Sequence, residues 1–352
     1  MNEELRGLLM EVDLGCGPGG WGWDQVVLVR NRGSIPAPPE QPTRVPEDSG
    51  FDLLLLGPDF HPRFYCKCRP PADRKLEHET AVLETLSRDP EITGLVPRTR
   101  GFASKRIRVQ LTDYVSGPLY LGVLPELDAG EWRRTLREVL DVGHRLSACC
   151  PPNWLPAGNH DRRAGATGGT KASLAEESAP ALAYLVRVGL LAESAEPLAG
   201  ILRAAGDFVR RPQHGDFWPG NVVYGDAGWC VVDFEEYGRI AVPLYDAFQM
   251  IRTSDTIRRD AGPEDLWLDR LRRNDEEARA SRQLIQRLAE DEGLDSKQIV
   301  GVLVYHLLEV ARSFHARRSP PDYWEPVVGD LRLAARFVRS GESLQELVMG
   351  PA

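Results

Sequence analysis

Strand-length apolar runs dominate residues 24–114 and then stop. From about Gly130 the pattern is helical, broken by one β-rich stretch at 222–234. Strands first and helices after predict an α+β chain whose main sheet is complete before the helical part begins. A length of 352 residues suits two ordinary domains or one enzyme of two lobes.

Within the strand-rich part, Asp24–Arg30 reads as one strand. Phe51–Leu56 and Arg63–Cys68 read as a hairpin around a turn at 57–62. Between them, residues 31–50 carry Pro36, Pro38, Pro39, Pro42 and Pro46 and form an irregular loop. Leu76, Val82, Leu83 and Leu86 share one face of a helix expected over Arg74–Ser87. Strands follow at Thr99–Phe102 and Ile107–Tyr114, and 114–118 is a linker with a turn. The expected organisation is a strand-rich lobe over 1–113, a hinge at 114–118 and a helical lobe over 119–352. A loop at 156–171, with four glycines, is expected to be mobile.

Bulk properties narrow the partners. A net charge of -9 disfavours broad binding to nucleic acid or anionic membrane and is compatible with a cationic ligand. No apolar run approaches the roughly 18–20 residues that span a bilayer, and Met1–Leu9 lacks the order of a signal peptide. The cysteines, at 16, 66, 68, 149, 150 and 230, form no CxxC pair, so neither a zinc site nor a disulfide framework is expected. Cys66 and Cys68 share one strand face as small core residues. A cytoplasmic protein is expected.

The chemistry concentrates at 214–233. Asp216 stands five positions before Asn221, and Val222–Tyr224 pairs with Trp229–Val232 around the turn 225–228. Asn221 enters this hairpin and Asp233 leaves it. Magnesium takes hard oxygen ligands, one or two of them from protein, and an Asn carbonyl with an Asp carboxylate suits it. Asp216 can then face a substrate hydroxyl.

The run His214-Gly215-Asp216-x-x-x-x-Asn221, then Asp233, then Asp246-Ala247, resembles the aminoglycoside phosphotransferase and choline kinase superfamily. The resemblance implies a bilobed, protein-kinase-like α+β fold with a small strand-rich N-lobe and a larger helical C-lobe. It implies a kinase moving the γ-phosphate of ATP or GTP onto a small-molecule hydroxyl, with magnesium. By it, Asp216 is the catalytic aspartate, Asn221 and Asp233 are metal ligands, and His214 and Asp246 support the catalytic loop. Lys67, one of five lysines, stands in a strand facing away from both neighbouring cysteines, and Glu79 follows in the next helix. This pair is similar to the family's phosphate-binding lysine and its glutamate; the alternative is an edge-strand lysine facing water. Asp113 and Val115 fall in a segment that resembles the adenine-binding hinge.

Other features point less sharply. Asp13–Gly19 matches the glycine-rich loop of methyltransferases, without the helix start that should follow. No GxGxxG joins the first two strands, and Phe234-Glu235-Glu236 replaces the Phe-Gly of protein kinases. Glu235, His306, Glu309, Tyr323 and Trp324 are candidate substrate contacts, with Tyr323 and Trp324 in a loop. The acidic residues 260–277 suit an amine-bearing acceptor, or equally a solvated helix with internal ion pairs. A catalytically silent nucleotide-binding scaffold and, remotely, a methyltransferase are the alternatives to a kinase.

Overall fold

The computed structural model describes residues 25–31, 50–105, 107–149, 171–273 and 275–349. The segment 13–19, the Pro-rich loop over 32–49, the loop at 156–171 up to residue 170, Cys16 and Cys150 lie outside the described residues. The chain divides into two compact units. One ends at Pro118 and takes in Val223–Tyr237; the other comprises Leu119–Val222 and Gly238–Ala352.

The strand-rich unit is built on an antiparallel sheet of β1 (Gln25–Asn31), β2 (Phe51–Leu56), β3 (Pro62–Arg69), β4 (Thr99–Ala103) and β5 (Arg108–Asp113), in the order β1-β2-β3-β5-β4. Sequence alternation sorts its faces. Leu53, Leu55, Cys66, Cys68, Val109 and Leu111 form one buried apolar face. Lys67, on the central strand, is registered between Asp52 and Gln110 and points the other way. The helix α1 (Arg74–Leu86) starts where Asp73 accepts the amide of Leu76 at 2.9 Å. It packs on that second face, where Gly101 is required: a Cβ there would come within 2.5 Å of Thr80 Cγ2.

The hairpin of β8 (Val222–Gly225) and β9 (Gly228–Val231) belongs mostly to this unit, although the sequence places all of 119–352 with the helices. Hydrogen bonds explain the difference. Val231 N–H donates to Leu95 O at 2.8 Å and Tyr224 N–H to Pro118 O at 3.0 Å. The approach at the hinge is close enough to demand glycine: at Gly117, with φ +144°, a Cβ would fall 2.0 Å from Tyr224 O.

The helical unit contains α2 (Tyr120–Val123), α3 (Ala129–Ala148), α4 (Leu174–Arg187), α5 (Ala195–Ala205), α6 (Tyr245–Arg258), α7 (Trp267–Arg272), α8 (Glu276–Asp291), α9 (Ser296–Ala316), α10 (Pro321–Ser340) and α11 (Leu344–Met349). A second small sheet, β6 (Lys171–Ser173) with β7 (Asp207–Val209), escapes sequence detection because three residues carry no usable alternation. The centre is α9, contacted by α4, α5, α6, α10 and α11. It also corrects the expectation about apolar runs: at 21 residues it is long and apolar enough to cross a membrane. Every residue from Ile299 to Ala311 is buried inside the unit, the mark of a core helix packed on all sides.

Candidate active site

In the strand-rich unit a cation is held among three carboxylates. Lys67 Nζ lies 2.9 Å from both oxygens of Glu79, 2.8 Å from Asp233 Oδ1 and 3.7 Å from Glu235 Oε1. Its side chain is 9% exposed on the central strand, so the alternative of an edge-strand lysine facing water falls. Burial opposes its charge, but Glu79, Asp233 and Glu235 outweigh burial and hold the ammonium above the usual lysine range. Burial pushes the Glu79 carboxyl upward, against the pull of Lys67. The segment after β9 is pinned to α1: Phe234 N–H donates to Glu79 Oε1 at 3.2 Å, and His78 Nε2 meets Tyr237 O at 2.7 Å. Asp233 has a left-handed backbone, φ 66°, a conformation that costs free energy and recurs at functional positions. Glu79, Asp233 and Glu235 place one oxygen each within 4.8 Å of one another, a hard donor set suited to magnesium. At the hinge, Tyr114 N–H donates to Arg63 O at 2.9 Å, while the Val115 amide has no partner among the described residues.

In the helical unit the loop 213–221 is tied from behind. The Asp246 carboxylate, at the start of α6, accepts the amides of His214 at 2.5 Å and Gly215 at 3.0 Å. Gln213 bridges α6 and α3, accepting Asp246 N–H at 3.3 Å and donating to Ser147 Oγ at 3.1 Å. Gly215, with φ 83°, turns the chain so that Phe217 is buried, 1% exposed, beside Gly143 of α3. Asn221 donates its amide to Asp216 O at 2.9 Å and Asp216 Oδ2 at 3.1 Å. The side-chain amide serves the 213–221 loop, which leaves the Asn221 carbonyl oxygen for a hard cation.

Burial pushes the Asp246 carboxyl up to about 7 against its two amide donors, and burial does the same to Asp330 on α10. Both groups hold protons in the folded chain that the unfolded chain releases from about pH 4 upward. Folding stability should therefore fall as pH rises from about 4 to 7, by at most about 1.4 kcal/mol per pH unit and group. Thermal melts across that window check this, and Asp330→Asn should flatten the slope.

Among the substrate candidates, His306 requires correction. It is fully buried, accepts weakly from Arg252 Nε at 3.4 Å, and its ring lies 5.0 Å from that of Tyr245. It is a core residue of α9. Tyr323 and Trp324 do not lie in a loop; they form the first turn of α10, whose proline start is a helix-compatible N1 position. Trp324 Nε1 donates to Ser319 O at 3.2 Å and Tyr323 packs on Phe314, so both close the corner between α9 and α10. Glu235 joins the lysine cluster. Glu309 is paired with Arg312. Three of the acidic residues over 260–277 are held in ion pairs, Arg273–Asp265 at 2.7 Å, Arg259–Asp275 at 3.0 Å and Arg258–Glu277 at 2.7 Å, as a helix with internal ion pairs would have. The contact of Lys67 with Asp233 and the bridging role of Gln213 carry no signal in sequence spacing, since each joins residues from distant segments.

The family model described as the phosphotransferase enzyme family matches residues 53–285, more than half of the chain. The chain belongs to this family. No curated protein matches the sequence. Among solved structures, this phosphotransferase family member is similar to a thermostable mutant of aminoglycoside phosphotransferase APH(4)-Ia in its apo form, with 15% identity over 89% of this chain and 95% of that one, at a TM-score of 0.52. It is also similar to APH(2")-IIa in complex with gentamicin, with 10% identity over 99% and 98% of the two chains and a TM-score of 0.51. APH(3'')-Id from Streptomyces rimosus shares 20% identity over 73% of this chain and 89% of that one, at a TM-score of 0.42. The first two likenesses establish the fold, an antiparallel sheet lobe followed by a larger helical lobe.

Proposed function

We propose that the chain is a kinase that moves the γ-phosphate of ATP or GTP onto a hydroxyl of a small molecule, such as a sugar, an amino alcohol or a hydroxylated antibiotic. The observation that carries this is Lys67, buried in the central strand and clasped by Glu79 at 2.9 Å. A buried ammonium fixed by a buried carboxylate is poised to contact nucleotide phosphates as a preorganised cation. Asp216, held by Asn221, orients the acceptor hydroxyl and takes its proton as the oxygen attacks phosphorus and the bond to the leaving diphosphate breaks. Asn221 and Asp233 would supply oxygens to magnesium, and Glu235 lies beside Asp233 as a further carboxylate. When bound, the metal neutralises charge on the phosphates. The Val115 amide offers a main-chain donor for the base. The cytoplasm, where nucleoside triphosphate is available, fits this reading.

A transfer assay with ATP or GTP against sugars, amino alcohols and hydroxylated antibiotics tests it; no transfer to any acceptor would sink it. For the metal, Asp233→Ala and Asn221→Ala should each weaken magnesium-dependent nucleotide binding. Asp233→Ala should be the more severe, because that residue carries the charge. Nucleotide titrations with and without magnesium check this; wild-type binding by Asp233→Ala would remove that ligand from the scheme.

A further inference from the structure

Two tyrosines of the helical unit have hydroxyls without partners among the described residues. Tyr245 and Tyr305 are 5% and 4% exposed, and their rings meet edge to face at 6.0 Å. Tyrosines with rings buried to this degree normally seat the hydroxyl on a hydrogen-bond partner. Neither of these does so among the described residues, and neither oxygen is sealed from the accessible surface. Tyr245 opens α6 immediately before Asp246, whose carboxylate holds the amides of His214 and Gly215, so it stands beside the loop that carries Asp216. Glu309 is one turn beyond Tyr305 on the same face of α9. Both short contacts of Glu309 with Arg312, 3.0 and 2.6 Å, use Oε2, which leaves Oε1 without a partner among the described residues.

We propose that the hydroxyls of Tyr245 and Tyr305 and the Oε1 of Glu309 bind the phosphate acceptor and select a neutral or singly cationic polyol. The proposal rests on the kinase reading and deepens it by naming the acceptor class. Burial raises both phenols, and the Glu309 carboxylate adds to the effect at each, with Asp216 among the charges acting on Tyr245. Both hydroxyls therefore stay protonated and present a donor and an acceptor, the pairing a sugar or cyclitol hydroxyl requires. Charge decides against a polycation. Glu309 is countered by Arg312, and Glu177, the other carboxylate acting on Tyr305, is paired with Arg210. Apart from Asp216, which the transfer step commits to the reacting hydroxyl, one half-neutralised carboxylate remains, and it accommodates at most one ammonium group.

The test measures binding directly, by saturation-transfer NMR on the full chain with magnesium and a non-hydrolysable ATP analogue, using glucose, glucosamine, myo-inositol and kanamycin as probes. At least one of the three polyols should bind, and kanamycin should bind no more tightly than that polyol. Tyr245→Phe and Tyr305→Phe should each weaken polyol binding by about three- to tenfold, the loss expected for one hydrogen bond. Should a Phe variant misfold, Glu309→Gln provides the second readout, weakening glucosamine relative to glucose. Tightest binding of kanamycin, no binding of any polyol, or wild-type affinity in the folded Phe variants would overturn the proposal. Polyol binding without phosphate transfer would instead count against the kinase reading and leave the acceptor site standing.

Discussion

Asp216→Asn is expected to lower phosphate transfer by at least about 100-fold, the lower end of general-base effects, while nucleotide affinity is retained. The asparagine side chain keeps an oxygen for the Asn221 amide, which now donates to Asp216 Oδ2 at 3.1 Å, so the loop is expected to hold its shape. The anchors of that loop are Asp246 and Gln213, which the substitution does not touch. What is lost is the carboxylate that accepts the proton of the attacking hydroxyl. Turnover and nucleotide affinity measured on one preparation separate the two effects. Near-normal turnover would remove Asp216 from the mechanism.

Lys67→Met is expected to damage both stability and activity, for separable reasons. Glu79 is 1% exposed, and without the ammonium it becomes a buried carboxylate with no cation beside it. Breaking a buried ion pair from one side costs about 3–5 kcal/mol, with partial protonation of Glu79 moderating the loss. The double variant Lys67→Met with Glu79→Leu removes both charges and should recover most of that stability. It should still lack transfer, by roughly 100- to 1,000-fold, the range for removal of a preorganised electrostatic contact. Chemical denaturation and kinetics on the single and double variants test the pair. Recovery of transfer in the double variant would mean that Lys67 acts only in folding.

The sequence alone determined the local features of this protein. The spacing from His214 to Asn221 put Asp216 and Asn221 on one short loop, and the structure adds that the Asn221 amide folds back on Asp216. Apolar alternation assigned Cys66 and Cys68 to the core face of β3 and Lys67 to the other. The helical spacing of Leu76, Val82, Leu83 and Leu86 marked the helix that runs over Arg74–Leu86.

Only the tertiary structure decided which distant groups meet. Periodicity identifies the face of an element and says nothing of its neighbour, so the Lys67 contact with Asp233, across 166 positions, had no local signal. For the same reason His306 reads as a pocket residue by type, yet α9 is surrounded by other helices and His306 is fully buried among them. The hairpin after Asn221 joins the strand-rich unit because Leu95, Pro118 and Glu79 complete its hydrogen bonds, partners more than 100 residues upstream. The hydroxyls of Tyr245 and Tyr305 acquire their meaning only where α6 and α9 bring them together, because a tyrosine's lack of a partner is a property of its surroundings.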